Sequence, residues 1–212
     1  MGPPDATTAF GDEIAAVLLD ADAASALRVP GRTDAAVLVA LYLDQGLLHA
    51  VFTLRREDMR RHAGEISFPG GRRDPTDASL TATALREARE EIGLQTRAVR
   101  LLGALQPTPT IVTGYAIYPF VGLIEPGSVW TLSPREVASV LELGLDQLAA
   151  GYGRRRLRRR GIPIRTDTYV VGDDLIWGAT ARILADLLER TEPLRARLHT
   201  QHGGRTSASS TP

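Results

Sequence analysis

The stretch "GEISFPGGRRDPTDASLTATALREAREEIGL", residues 64–94, contains the features that decide the fold. Its Pro-Gly-Gly segment at 69–71 can adopt backbone conformations that other residues avoid, so we expect a loop there. Asp77 or Ser79 can cap the helix that follows, and Gly93 can end it. The stretch therefore predicts a glycine-rich loop that leads directly into a well-delimited helix.

The predicted helix carries three glutamates close together. Glu87 and Glu91 lie one turn apart, and Glu90 falls on the same arc of the helix. Like charges at this spacing repel, and the repulsion grows where water is partly excluded. A divalent cation would reverse that cost, and ligands that are all oxygen suit Mg²⁺ or Mn²⁺ rather than Zn²⁺. The alternative is an ordinary solvated face on which Arg86 and Glu90 form an i, i+4 pair.

The composition indicates one globular domain without a strong charge. The chain has 212 residues, 43% of them hydrophobic, and its 25 basic residues, all Arg, balance 25 acidic ones. A formal net charge of zero gives no electrostatic reason to expect a nucleic acid or a membrane as a partner. The absence of Cys excludes disulfides, Cys-based zinc sites and a thiol nucleophile. We expect a cytoplasmic protein, because the chain shows neither an apolar run long enough to span a membrane nor a signal pattern.

Hydrophobic periodicity predicts a mixed α/β fold. Two apolar runs, "AAVLVALYL" and "LLHAVFTL", flank Asp44-Gln45-Gly46 and predict a central β-hairpin. We expect further strands at 65–68, 98–105, 115–124 and 164–171, and helices at 12–27, 79–92, 134–150 and 175–190. The domain is expected over residues 10–198. Residues 1–9 and the small polar tail at 199–212 are expected to be disordered, because such a tail cannot bury enough surface to order itself.

From its two glycines through "REAREEIGL", the stretch resembles the Nudix box, the signature of a family of metal-dependent pyrophosphohydrolases. The latter half of the box matches at Arg86, Glu87, Glu90, Glu91 and Gly93. The resemblance implies an α/β/α sandwich with a mixed sheet, and catalysis with Mg²⁺ or Mn²⁺. It also implies that Glu87, Glu91 and Glu90 bind the metal together with the Gly70 carbonyl, while Arg86 orients a carboxylate through its two-pronged guanidinium.

Two acidic residues near the box are interpreted as helix caps. The loop is one residue longer than in the usual box, and Asp77 stands near the place of the first family glutamate; we interpret it as a cap. Nudix enzymes often take a catalytic carboxylate from outside the box, and Glu136 is a candidate. Because "SPRE" at 133–136 has the pattern of a capping box, we favour a cap there too. The general base is left unassigned.

The residues before the box resemble a narrower motif, found in the coenzyme A pyrophosphatase branch of the family. The matching stretch is "TLRREDMRRHAGEISFPGG", residues 53–71. The resemblance implies hydrolysis of coenzyme A or its thioesters to 3′,5′-ADP and 4′-phosphopantetheine or its acyl form. Substrate-binding roles follow for Arg55, His62, Gly64, Phe68, Gly70 and Gly71. For His62, a contact with a substrate phosphate and a structural role in the loop are equally open. A homodimer is also left open, and ADP-ribose, NADH and dinucleoside polyphosphates are the alternative substrates.

The run "GRRRLRRRG", residues 153–161, has six Arg in seven positions. It could bind nucleic acid, meet the 3′-phosphate of coenzyme A, or form a solvated connector before the strand expected at 164–171. We favour the connector. A nucleic-acid-binding module using Arg154 to Arg160 is the alternative from another functional class. The neutral total charge, the lack of interleaved aromatic residues and the intact glutamates of the box argue against it.

Overall fold

The predicted central hairpin is present in the computed structural model, which describes residues 6–57, 64–110, 114–159 and 162–203. The helices are α1 Ala6–Ala15, α2 Ala21–Ala26, α3 Leu80–Ile92, α4 Leu145–Ala150 and α5 Gly178–Gly203. The strands are β1 Thr33–Asp44, β2 Leu47–Arg55, β3 Ile66–Ser67, β4 Gly70–Arg72, β5 Arg100–Ala104, β6 Thr108–Pro109, β7 Tyr115–Leu123, β8 Val137–Gly144, β9 Tyr152–Arg159, β10 Ile162–Val171 and β11 Asp174–Trp177. Within these described ranges, no helix is long and apolar enough to cross a membrane.

The larger of two sheets has eight strands and a mixed topology. Its main order is β3-β2-β1-β7-β5, with β4 paired to β1, β6 to β7 and β8 to β2. Strands β1 and β7 run parallel, with Leu38 opposite Phe120, and the other pairs are antiparallel. The second sheet is antiparallel, in the order β11-β10-β9. The predicted mixed sheet is therefore confirmed.

Strand β1 separates two hydrophobic cores. Its alternation sends Val39 and Leu41 into a core with α1, α4 and α5, while Leu38 and Ala40 enter a core with α2 and α3. All four side chains are fully buried. A strand covered on both faces needs a continuous apolar run, which is what "AAVLVALYL" supplies. Helices on both faces of the sheet make the α/β/α sandwich that the sequence resemblance implied.

The helix predicted at 12–27 is interrupted. Leu19 forms an isolated antiparallel bridge with Ala104, with N···O distances of 2.9 and 2.8 Å. Asp20 then caps α2 by accepting hydrogen bonds from the backbone N–H groups of Asp22 and Ala23. The pairing with a distant strand overrides the local helical pattern.

Two other helix predictions require correction. The helix expected at 134–150 is replaced by strand β8 and the short helix α4, because Val137–Gly144 pairs with β2. The helix expected at 175–190 begins after strand β11. Helices α1 and α5 include residues 6–9 and 199–203, which were expected to be disordered, while residues 1–5 and 204–212 lie outside the described part.

Candidate active site

A cavity of about 1400 Å³ collects most of the predicted site residues. It is lined by residues of β1, β2, β3, β4, α3, β7, β9, β10, β11 and the start of α5. Seven of the predicted residues contribute to its wall: Arg55, Phe68, Gly70, Gly71, Arg86, Glu87 and Glu91. Gly64 and Glu90 do not line it, and His62 lies outside the described residues. The predicted glycine-rich loop and the helix that follows it thus form one side of this cavity.

Gly70 and Gly71 let the loop lie against its neighbours. A Cβ on Gly70 would lie 2.4 Å from the carbonyl oxygen of Ala36, and a Cβ on Gly71 would lie 2.5 Å from the carboxyl carbon of Glu87. No other residue fits at these distances without displacing its surroundings. The Gly70 N–H also donates a hydrogen bond of 3.1 Å to Glu91 Oε2. Gly71 therefore leaves room for the Glu87 carboxylate, and Gly70 holds the Glu91 carboxylate against the loop.

Glu91 is a carboxylate held away from water. It is 3% exposed, and this burial raises its pKa to about 7. The hydrogen bond from Gly70 and the charge of Arg55, whose Nη1 lies 3.6 Å from Glu91 Oε1, favour the ionised form. The charges of Glu87 and Glu136 oppose it. Glu91 therefore sits among like charges in a poorly hydrated place, which is where a cation binds favourably.

Arg86 connects the loop to the glutamates. Its guanidinium donates from Nε and Nη2 to the two carboxylate oxygens of Asp77, at 2.9 and 3.0 Å. Its Nη1 lies 2.9 Å from Glu87 Oε1 and donates to Glu90 Oε2 at 3.0 Å. Arg86 thus contacts three carboxylates, and its role in catalysis stays a prediction. Glu90 is 53% exposed on the outer side of this network.

Asp77 does not cap helix α3, so that interpretation was wrong. The cap is Ser79, whose Oγ accepts a hydrogen bond of 3.0 Å from the Ala82 N–H. Asp77 is buried and accepts hydrogen bonds from Thr83 Oγ1 and from the Asp74 N–H, both at 2.9 Å. Its hydrogen bonds with Arg86 hold the pKa of the Asp77 carboxyl far below its usual value of 3.8. Asp77 fixes the loop and the guanidinium.

Replacing Asp77 with Asn should destabilise the protein in a pH-dependent way. Loss of the charged hydrogen bonds to Arg86 should lower the free energy of unfolding by about 2 kcal/mol at pH 7. Because the folded-state pKa is depressed, this contribution is present above about pH 4 and is lost as the pH falls further. Urea unfolding of both proteins between pH 7 and pH 3 measures the difference. The Ser79→Ala variant, which removes an uncharged cap, provides the control with a pH-independent loss of about 1 kcal/mol. A difference for Asp77→Asn that stays constant with pH would contradict the assignment.

Glu136 belongs to the cavity wall, not to a helix cap. Residues 133–136 form a turn before β8, so no helix begins there. The Ser133 N–H donates a hydrogen bond of 2.8 Å to the carbonyl oxygen of Glu91, which ties this turn to the end of α3. Glu136 lines the cavity, and its charge raises the pKa of both Glu87 and Glu91. The run "VASVLELG" that follows has no strict alternation of apolar and polar residues, and it is a strand because it pairs with β2.

Arg55 and Phe68 contribute to the cavity wall in different ways. The Nε of Arg55 is buried and has no hydrogen-bond partner among the described residues. A buried guanidinium N–H in this state is a donor for a bound anion. Phe68 is 2% exposed and stacks on Phe52, with ring centroids 4.5 Å apart. It therefore supports the cavity wall mainly as part of the core.

The Arg-rich run is not a connector, which corrects the favoured interpretation. Tyr152–Arg159 forms strand β9, paired along its length with β10. Arg154 of β9 and Arg165 of β10 line the same cavity as the glutamates. The pairing of β9 with β10 could not be predicted from the arginines themselves, because a charged run carries little strand propensity.

Glu87 and Glu91 are the residues whose chemistry best fits a divalent metal ion. Burial is the main cause that raises the pKa of each carboxyl, and a bound cation would offset both the burial and the mutual repulsion. Oxygen ligands of this kind suit Mg²⁺ or Mn²⁺. Within the described ranges, no three Asp, Glu or His side chains already surround a common point, and Glu87 is engaged by Arg86. A metal ion held by both glutamates together with a third side chain would therefore require these side chains to rearrange.

Comparisons with known proteins agree on one family. The NUDIX domain model matches residues 32–159. The uncharacterized Nudix hydrolase NudL of Salmonella paratyphi B is 42% identical over 159 residues, covering 73% of this chain and 80% of that protein, and NudL of Salmonella newport gives the same values. A crystal structure of a MutT/nudix family protein from Enterococcus faecalis has a TM-score of 0.53 at 14% identity, covering 81% of this chain and 68% of that one. That last similarity supports the fold alone.

Proposed function

The chain belongs to the NUDIX domain family, and we propose that it hydrolyses the diphosphate bond of coenzyme A or its thioesters. The observation that carries this proposal is the shared cavity. Glutamates of the box and motif residues that resemble the coenzyme A branch, among them Arg55 and Gly70, line the same space. Water attack on the diphosphate yields 3′,5′-ADP and 4′-phosphopantetheine, or acyl-phosphopantetheine from a thioester. Both products keep one phosphate of the cleaved bond.

The cofactor in this proposal is Mg²⁺ or Mn²⁺. Glu87 and Glu91 would hold it, with the Gly70 carbonyl and Glu90 as the further ligands that the family resemblance implies; Glu90 lies outside the cavity lining and pairs with Arg86. The bound ion would neutralise the diphosphate oxygens and lower the pKa of the attacking water. Arg55 is assigned to substrate binding, because it lines the cavity and its buried Nε–H has no hydrogen-bond partner among the described residues. Arg86 keeps Glu87 in place through their ion pair.

Glu136 is the general base in this proposal. It lines the cavity together with Glu87 and Glu91, and its charge raises the pKa of both. The backbone hydrogen bond from Ser133 to Glu91 couples the turn that carries Glu136 to the metal-binding helix. A carboxylate held there can take the proton of the attacking water.

Partners and cellular location follow from this assignment. The partner is a small molecule, and a cytoplasmic location agrees with the absence of Cys in the chain. Nucleic acid is disfavoured by the net charge of zero. A homodimer stays a prediction.

A panel of pyrophosphates ranked by kcat/KM tests the substrate assignment. We expect coenzyme A to exceed ADP-ribose, NADH and a dinucleoside polyphosphate by at least about tenfold, because the motif before the box distinguishes this branch. All four substrates are assayed at the same Mg²⁺ concentration. A tenfold preference for ADP-ribose or NADH would overturn the coenzyme A assignment and leave the glutamate chemistry untouched.

A further inference from the structure

The two-stranded ribbon of β9 and β10 presents arginines on one face. In its antiparallel register Arg154 lies opposite Asp167, and Arg156 lies opposite Arg165. Residues that are directly opposite point to the same face of a ribbon, and so do residues two apart. Arg154, Arg156 and Arg165 therefore share a face with Asp167. That acid is already engaged by Arg154, with Nε 3.2 Å from Oδ1, and by the Tyr152 hydroxyl at 3.1 Å.

This face carries positive charge that its neighbours do not balance. Arg156 and Arg165 are exposed, and among the described residues no acidic group lies within ion-pair distance of either. Like charges placed directly across a strand pair are unfavourable. An anion bound on this face by both guanidinium groups would remove that cost. The face with Arg156 and Arg165 therefore favours a bound anion.

The position of this face relates it to the substrate. Arg154 and Arg165 line the cavity that also contains Glu87 and Glu91. Those glutamates repel anions until a cation is present, whereas the arginines attract them directly. The cavity thus offers two chemically different places for phosphate groups, on different elements of the fold.

We propose that Arg154 and Arg165, with Arg156 beside them, bind a phosphate monoester of the substrate that is separate from the bond being cleaved. This inference rests on the proposed function. It assigns the 3′-phosphate of the coenzyme A nucleotide to the ribbon and leaves the diphosphate to the glutamates. Arginine suits this task, because its planar guanidinium donates two parallel hydrogen bonds to phosphate oxygens. The ribbon then determines specificity for the 3′-phosphorylated substrate.

The kinetic test compares coenzyme A with dephospho-coenzyme A, which lacks the monoester. The wild-type ratio of kcat/KM should be about 10- to 100-fold in favour of coenzyme A. The Arg154→Gln and Arg165→Gln variants should each bring that ratio towards one, because only the phosphorylated substrate loses a contact. Arg155→Gln is the matched control, since Arg155 lies on the opposite face of β9 and pairs with Thr166. Equal losses for both substrates, an unchanged ratio in both variants, or the same change in Arg155→Gln would overturn the proposal.

A binding measurement separates this inference from the proposed function. Calorimetry on wild type should show 3′,5′-ADP binding at least about tenfold more tightly than 5′-AMP, and Arg165→Gln should abolish the difference. The difference in affinity can be measured whether or not the protein hydrolyses coenzyme A. If neither form of coenzyme A is hydrolysed, the proposed function fails while the binding result still decides the role of the ribbon. Equal affinities for the two nucleotides in wild type would overturn the monoester site. Submicromolar binding of an RNA oligomer that displaces 3′,5′-ADP would assign the face to nucleic acid instead.

Discussion

Replacing either Glu87 or Glu91 with Gln should lower kcat by at least about 10²-fold while the protein stays folded. Glutamine keeps the size of the side chain and can still accept the hydrogen bond that Glu91 receives from the Gly70 N–H. It removes the negative charge that holds the metal. Because burial disfavours the charged form of both glutamates, the neutral variants should lose no stability.

Turnover at saturating Mg²⁺ and substrate measures the loss of kcat. Thermal unfolding measures whether stability is retained. The control is Glu189→Gln, at an exposed position of α5 away from the cavity, which should have wild-type turnover. Folded Glu87→Gln and Glu91→Gln proteins with near-wild-type kcat would show that these carboxylates are not the metal ligands.

The second large effect is expected at Glu136. As the general base, it should contribute about 10² to 10⁴-fold to kcat, so Glu136→Gln should lose activity by that factor. A purely structural role in the turn before β8 makes a different forecast, namely a loss of about 1 kcal/mol in the free energy of unfolding with kcat unchanged. Measuring kcat and urea unfolding on the same variant separates the two. A stability loss with intact turnover would restore the structural role.

Features set by the local pattern of apolar residues and by residues that start or end an element could be predicted from the sequence. Helix α3 was found because its apolar arc, the Ser79 cap and the Gly93 stop all lie within a short stretch of chain. The central hairpin was found because two apolar runs flank a turn with glycine. The same stretch placed Glu87 and Glu91 on one side of a helix, and the structure brings both to the cavity.

Features that depend on distant partners could not be predicted in this way. The segment after residue 133 has a capping-box pattern, but strand β2 pairs with it and makes it β8. Glu136 was therefore misread together with the helix it was expected to cap. Asp77 was misread because its partner Arg86 lies nine residues away, across a loop whose path the sequence does not give. The arginines of β9 gained a role only once pairing with β10 placed them at the cavity.

Identification of the products formed from coenzyme A tests the central claim most directly. Wild-type protein is incubated with coenzyme A and Mg²⁺, and the mixture is resolved by chromatography with mass detection. The account predicts 3′,5′-ADP and 4′-phosphopantetheine in equal amounts, with neither formed by the Glu91→Gln variant over the same time. Coenzyme A that stays intact while ADP-ribose or NADH is cleaved, or that is converted to dephospho-coenzyme A and inorganic phosphate, would contradict it.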